Sequence, residues 1–539
     1  MRWAILLLSA ALLAAQQTAP SPPEPRVPSV SGKVINTATG EGVRKASVLL
    51  RSQNGRNSFN FTADTDGNGN FVIEDVDPGK YAVTAGRQGF LQDIPGSEGA
   101  PPPPITVEKD QALRDVVVRM TPLGVIVGRV LDDDGDPIRG VLVQAKSYRY
   151  VAGKRQLGDA QSAQSNDKGE FRVYGLRPGT YYLYAAVMNY SGNRNQEQIR
   201  GPRPAGRAST YYPNATDAAH AAPIEVAAGA LLRGFDIQMR RERIFSVRGK
   251  LPESQGQSDR RYFVRVTPRD SHMGISSFGS VMNNSSFECS GLPPGEYVLI
   301  ATMFDGNKQI QSRQFVNIVD SDVEVTLNFS PPIDVSGTVR VDGQTIKFPE
   351  ELRVSLQPDQ QTGMGGASAL VKADGTFLLK SVSPDVYALN FNAPQGSYIK
   401  SIGAADHDGS NWQVDLTKGS GPIAIVLGTD VGVVEGTVEN AAGEPAMRVR
   451  VNLIPYGKNL GRGDLSRFAF TGEKGNFKMR GTSPGEYKLF AWDNVEFGAP
   501  QDPEFRKRYE KLAVPVKLEP NGHETVKLKL INVSKAGKE

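Results

Sequence analysis

The stretch "GLPPGEY", residues 291–297, has close copies along the chain: "DVDPGKY" ends at Tyr81, "GLRPGTY" at Tyr181 and "GTSPGEY" at Tyr487. A decayed copy, "SVSPDVY", ends at Tyr387, with Asp385 where the others carry glycine. A phenylalanine stands ten residues before each tyrosine: Phe71, Phe171, Phe287, Phe377 and Phe477. Upstream again, by 38 to 43 residues, comes a Gly-x-Val-like signature that begins at Gly32, Gly128, Gly249, Gly337 and Gly436. Three landmarks in fixed order, with 90 to 116 residues between successive tyrosines, make an internal repeat. Its period matches whole domains and is too long for a solenoid unit.

The residues around the landmarks alternate. Two positions after each phenylalanine stand Ile73, Val173, Cys289, Leu379 and Met479, all apolar, while the position between is polar in three copies of five. Two positions after each tyrosine stand Val83, Leu183, Leu299, Leu389 and Leu489. Period two with one wet face predicts half-buried strands on both sides of each Pro-Gly. Only residues 502–513, "DPEFRKRYEKLA", suggest a turn or two of helix. The fold class read from this is all-β, a tandem array of five immunoglobulin/transthyretin-like β-sandwich domains.

Proline presets φ at the first central position of a turn, and glycine accepts the positive φ of a type II turn at the second. Tyr81, Tyr181, Tyr297, Tyr387 and Tyr487 are expected to be structural, each a corner with a buried ring and a reachable hydroxyl. Asp385 in the fourth copy implies a different or strained turn. Residues 1–15 carry the apolar run "WAILLLSAALLAA" after Met1-Arg2 and read as a secretory signal, too short to span a bilayer. Residues 16–28 are a Pro-rich linker. The sandwiches are expected at 29–122, 123–242, 243–331, 332–430 and 431–533, the third and fourth divergent. A single cysteine allows no intramolecular disulfide. The formal net charge of +4, with no long single-sign block, argues against a nucleic-acid binder. No later segment approaches membrane length.

Gly-x-Val, then an Asp/Lys-Gly-x-Phe turn, then Leu-x-Pro-Gly-x-Tyr, resembles the carboxypeptidase regulatory-like domain. That family has a transthyretin-like sandwich, similar to the starch-binding-like fold. The resemblance implies a fold and an exported bacterial protein, and seldom an activity: in carboxypeptidases the module accompanies the catalytic domain and carries no catalytic residues. The collagen-adhesin B-type repeats look similar around the same turn, and often form an isopeptide bond with a glutamate four residues after the tyrosine. Here that position holds Ala85, Ala185, Ala301, Phe391 and Ala491, so no such crosslink is expected.

Candidate chemistry is sparse. His220, His272, His407 and His523 lie one per repeat in loop-like contexts, and HExxH, GxSxG, P-loop and CxxC patterns are missing. "SYIK" (397–400) lacks the companions of a Ser-x-x-Lys site, and "GRGD" (461–464) reads as a solvated loop. No catalytic residue is assigned. In "DTDGNGNFVIED", Asp64, Asp66, Asn68 and Asp75 fit the oxygen spacing of a calcium loop, although a strand replaces the helix that should follow. Calcium is therefore the one cofactor considered. Tyr182 and Tyr184 share the outward face of their strand about 7 Å apart, as a sugar platform needs; packing against a neighbour is the competing reading. Tyr211, Tyr212, Trp412 and Trp492 are further aromatic candidates. Cys289 occupies an inward position and should be inert. The function expected is a non-catalytic exported binding or scaffold module, periplasmic, cell-surface or extracellular, with a polysaccharide or an envelope protein as partner. The alternatives are a carbohydrate-binding protein using exposed aromatics and an enzyme with a site formed between repeats.

Overall fold

The computed structural model describes residues 28–53, 60–94, 96, 99–151, 153–187, 206–252, 260–269, 277–282, 285–305, 308–342, 348–358, 366–403, 406–408, 411–419 and 421–533. The expected signal segment, nearly all of the linker and His272 lie outside them. The described residues form strands and turns with a few short helical turns. The one α-helix among them, Pro503–Lys507, falls in the stretch expected to be helical, with the Asp502 carboxylate accepting from the Glu504 amide at 2.8 Å as an N-cap.

The chain forms two compact units, residues 1–88 with 102–120, and residues 89–101 with 121–539. In the first, the strand Ser29–Asn36 lies between Asn70–Glu74, antiparallel, and Ala112–Pro122, parallel. The other layer runs in the order Asn60–Asp64, Ser47–Ser52, Gly79–Gly86, Pro104–Val107. The second unit repeats this plan along the sequence. Buried clusters fall in separate intervals, from Ile126 to Met239, Phe245 to Leu327, Val335 to Leu427 and Val434 to Leu528. In the last interval the two layers join in one seven-stranded sheet, because Gly485–Asp493 also pairs with the closing strand His523–Asn532.

One register contact recurs in all five repeats. The signature glycine of the opening strand stands directly opposite the landmark phenylalanine: Gly32 with Phe71, Gly128 with Phe171, Gly249 with Phe287, Gly337 with Phe377 and Gly436 with Phe477. On its other side each glycine meets the closing segment. A Cβ built on Gly32, Gly128 or Gly436 would lie about 2 Å from a backbone oxygen, at 1.9 Å from Val116, 2.0 Å from Phe235 and 2.0 Å from Val526. On Gly337 it would lie 2.1 Å from the Phe377 ring and 2.6 Å from the Ile423 oxygen. The phenylalanine ring adds to the crowding at Gly128, Gly249 and Gly337, at 2.9, 2.5 and 2.1 Å, so glycine is a packing requirement here. All five phenylalanines are buried, and each contributes roughly 1.5–3 kcal/mol by leaving water.

The alternation holds. Ile73, Val173, Cys289, Leu379 and Met479 are buried, while Val72 and Leu378 between them are exposed. Each tyrosine ring is buried and its hydroxyl donates to the backbone carbonyl four residues earlier: Tyr81 to Asp77 at 2.7 Å, Tyr181 to Arg177 at 2.9 Å, Tyr297 to Pro293 at 2.7 Å, Tyr387 to Ser383 at 2.7 Å and Tyr487 to Ser483 at 2.8 Å. The corner is as expected, but the turn is not type II. Gly179, Gly295 and Gly485 have φ of 155°, 155° and 149°, against about +80° for the type II position, and each is already the first residue of its strand. Asp385 keeps a negative φ. It is unstrained, and its carboxylate accepts from the Val386 amide at 2.8 Å.

A fourth landmark went unread in the sequence. Six residues before the phenylalanine, Thr65, Ser165 and Thr471 bury a hydroxyl that donates to the carbonyls of Val43, Ile138 and Ala446 at 2.6–2.7 Å and accepts the amides of Ala46, Val141 and Val449. The divergent repeats carry Val281 and Val371 there, and Val371 is buried apolar.

Burial raises the phenol pKa of all five corner tyrosines above the ordinary 10.0, to about 12 for Tyr387, where the nearby Asp385 charge adds to the effect. The unfolded chain sheds these protons near 10.0 while the folded one keeps them. Stability is therefore fully present below that pH and lost as pH rises towards about 12. Urea unfolding across this window should show a midpoint that is steady to about pH 10 and then falls. The Tyr387→Phe chain should show a weaker fall; equal falls in both would contradict the assignment.

Candidate functional site

Three places gather side chains that can do more than fill a core. The first is the outer face of the second repeat. Strands Val141–Val151, Lys154–Gln164 and Gly179–Val187 pair so that Tyr182 stands opposite Lys146 and Tyr184 opposite Gln144. Lys146 is buried, ion-paired to Asp159, and its ammonium lies 5.0 Å from the Tyr184 ring centroid; Gln144 donates to the same carboxylate at 2.9 Å. The Tyr182 ring meets Tyr148 edge-on at 5.6 Å, and Tyr184 lies tilted against Tyr211 at 4.8 Å. Both expected platform residues are thus half-buried and spend their rings on neighbours. Strand parity put Tyr182 and Tyr184 on one face as expected. The partners from the next strand and from Thr210–Tyr211, which close over them, were not legible. Tyr212 is partly buried, and Trp412 and Trp492 are buried.

The second is the expected calcium loop. Asp66 accepts from the Asn68 amide at 2.9 Å, the Asn70 amide at 2.7 Å and the Asn70 side chain at 3.1 Å, and the Asn70 backbone bond leads in holding its carboxyl below the usual range. That is the work of a hairpin turn. Asp64 ends one strand, and Asp75 follows the next at φ 58°. Among the described residues no three His, Cys, Asp or Glu side chains come together as metal ligands.

The third is a cleft of ≈ 600 Å³ where repeats four and five meet. Residues 393–397 form one wall; residues 431–433, Arg467, Lys478, Arg480, Gly481 and His523 form the other. Glu435 stands at its edge, bonded to Lys478 at 2.5 Å and to the His523 ring at 2.9 Å. The Lys478 bond, then His523, hold its carboxyl below the ordinary value. Arg467 donates to the carbonyls of Asp464 and Ser466 at 3.0 Å, which fixes its guanidinium. The walls are pinned nearby by Arg462, which donates to the Ile399 carbonyl at 2.7 Å, forks onto Asp464 at 2.8 Å and lies 4.7 Å from the Trp412 ring centroid. The "GRGD" stretch is therefore a seam between repeats, with Arg462 and Asp464 largely buried, and not a solvated loop. Lys478 and Arg480 sit at outward positions that alternation reveals, but their convergence with Arg467 and His523 needs the tertiary fold.

Residues 29–121 and 125–205 match the carboxypeptidase regulatory-like domain. The two matched stretches follow one another directly. No curated protein matches it. Among solved structures, a streptococcal ancillary pilin is similar at 10% identity, covering 53% of this chain and 99% of its own, with a TM-score of 0.20. The Bacillus anthracis TIE protein matches at 12% identity over 93% of this chain and 73% of its own, TM-score 0.17. The shaft pilin SpaA of Lactobacillus rhamnosus GG matches at 9% identity over 40% and 98%, TM-score 0.23.

The remaining candidates are structural. The exposed His220 ring pairs with Asp217 at 2.8 Å; His523 begins a strand instead of lying in a loop, and the backbone of His407 lies within the strand Asp406–Asp408. Cys289 is buried, and its burial pushes the thiol up to about 12, an inert group as expected. The residue four after each corner tyrosine is buried in all five repeats.

In the second regulatory-like domain, Tyr184→Ala removes a ring that packs on Tyr211 and covers Lys146. It should cost about 2 kcal/mol, within the range for truncating a partly buried aromatic. The Tyr211 phenol, which burial beside Tyr184 pushes up to about 12, should then titrate lower. An unchanged melting temperature and an unchanged titration would show an idle, open ring.

Proposed function

We propose that the chain is an exported, non-catalytic scaffold of five β-sandwiches, divided near residues 122, 242, 331 and 430, of which repeats two to five present binding surfaces in a fixed arrangement outside the cell. The observation that carries this reading is the fastening of successive repeats. Arg313 of repeat three reaches both Asp385 oxygens of repeat four at 3.1 Å, with 18% and 25% of the two side chains exposed, so the pair is shielded from the screening that weakens surface bridges. Between repeats four and five, Arg462 of repeat five reaches the Ile399 carbonyl at 2.7 Å and lies over the Trp412 ring. Repeat two reaches repeat five through Tyr150, whose ring lies 5.9 Å from Phe505, while the insertion around that helix packs Phe505 and Tyr509 onto buried Trp492. An enzyme site between repeats would need acids, bases or nucleophiles facing one another; the cleft of repeats four and five is dominated instead by Arg467, Lys478 and Arg480.

The reading predicts two results from one preparation. Expressed with its N-terminal apolar run in a bacterial host, the chain should be recovered outside the cytoplasm. Limited proteolysis should leave a large fragment spanning repeats two to five. Cytoplasmic retention, or a ladder of single-repeat fragments, would contradict it.

A further inference from the structure

We infer that the cleft between repeats four and five binds an acidic oligosaccharide, through its carboxylate groups. The inference rests on the scaffold reading only for the setting in which such a ligand is met.

Charge comes first. Arg467, Lys478 and Arg480 line the cleft together with His523, and no carboxylate lines it. Glu435, at the edge of this wall, offsets one cation, so a surplus remains even with His523 neutral. Cations gathered along one wall of a low-dielectric cleft focus the field into its space and draw in an anion.

Size comes second. The ≈ 600 Å³ is about twenty times a water's share of liquid volume, and within the range of clefts that hold organic ligands. One small oxyanion would leave most of it empty and reach few of the cations. An occupant with several charges spaced along it fills the volume and meets the guanidiniums in turn.

The lining decides the chemical class. No Phe, Tyr or Trp ring lines the cleft, so it lacks the large aromatic platforms on which successive bases of a nucleic acid strand stack. The walls at Gly396, Gly432 and Gly481 bring backbone close to the space. Of these only Gly396 is exposed, so hydroxyls of a ligand meet backbone chiefly there, while carboxylates spaced along it suit the arginine forks. A uronic-acid oligomer supplies both. Neutral sugar, the ligand expected of the tyrosines of repeat two, lacks the charge that complements this cleft.

The full chain titrated calorimetrically with a galacturonic-acid oligomer should show binding that weakens as salt rises. A neutral galactose oligomer of equal length should bind at least about tenfold more weakly, and Arg480→Ala should cost about tenfold, the worth of a charge-assisted hydrogen bond. Arg480→Glu should abolish binding with the melting temperature unchanged, since Arg480 is exposed. Equal binding of the neutral oligomer, no effect of Arg480→Glu, inorganic phosphate binding as tightly as the oligomer, or no binding at all would overturn the inference. Each of these leaves export and resistance to proteolysis untouched, so the two readings fail separately.

Discussion

Everything in this chain depends on a glycine that cannot carry a side chain. In each repeat the opening strand runs between a phenylalanine strand and a closing segment, and at one position an oxygen of the closing segment stands where a Cβ would go. At Gly128, Gly249 and Gly337 the opposing phenylalanine ring presses into the same space. Because side chains alternate with a period of two, fixing this one pair fixes the face of every other residue on both strands. The register of a whole layer follows from one contact, repeated five times.

The tyrosine corner does the same for the other layer. Its ring enters the core ten residues after the phenylalanine, and its hydroxyl closes on the carbonyl four residues back, so the chain's passage from layer to layer has one geometry in all five copies. Repeats one, two and five add a buried hydroxyl that satisfies one carbonyl and one amide in a connecting loop. Repeats three and four do without it. The two devices are separable: the glycine–phenylalanine contact and the corner persist where the hydroxyl has gone.

What could be read in the sequence was whatever rests on local spacing. The strands, the inward Cys289, the corner tyrosines and the short helix near 503 follow from alternation, turn chemistry and capping within a few residues. The turn type did not follow, because Pro-Gly is compatible with a type II turn, and only the strand starting at the glycine rules it out. The Tyr182 and Tyr184 pair was placed on the correct face, but Tyr148 and Tyr211 come from other strands, and no local pattern announces them. Arg462 and Asp464 looked like an exposed loop because their partners, Ile399 and Trp412, belong to the preceding repeat. The cleft cations were legible singly and not as a group. Contacts within a repeat are written in its spacing; contacts between repeats are written in residues far apart, and those carry the candidate site.

The central claim is that the glycine–phenylalanine contact sets the register of each sandwich independently. Hydrogen exchange on the Gly436→Ala chain tests it most directly. Forcing a Cβ into the space held by the Val526 oxygen should cost about 1–3 kcal/mol, so amides of the strands Gly432–Glu439, Asn476–Thr482 and His523–Asn532 should exchange faster. The matching strands of the first three repeats should keep their wild-type protection. Unchanged exchange in repeat five, or equal loss across all repeats, would contradict the account.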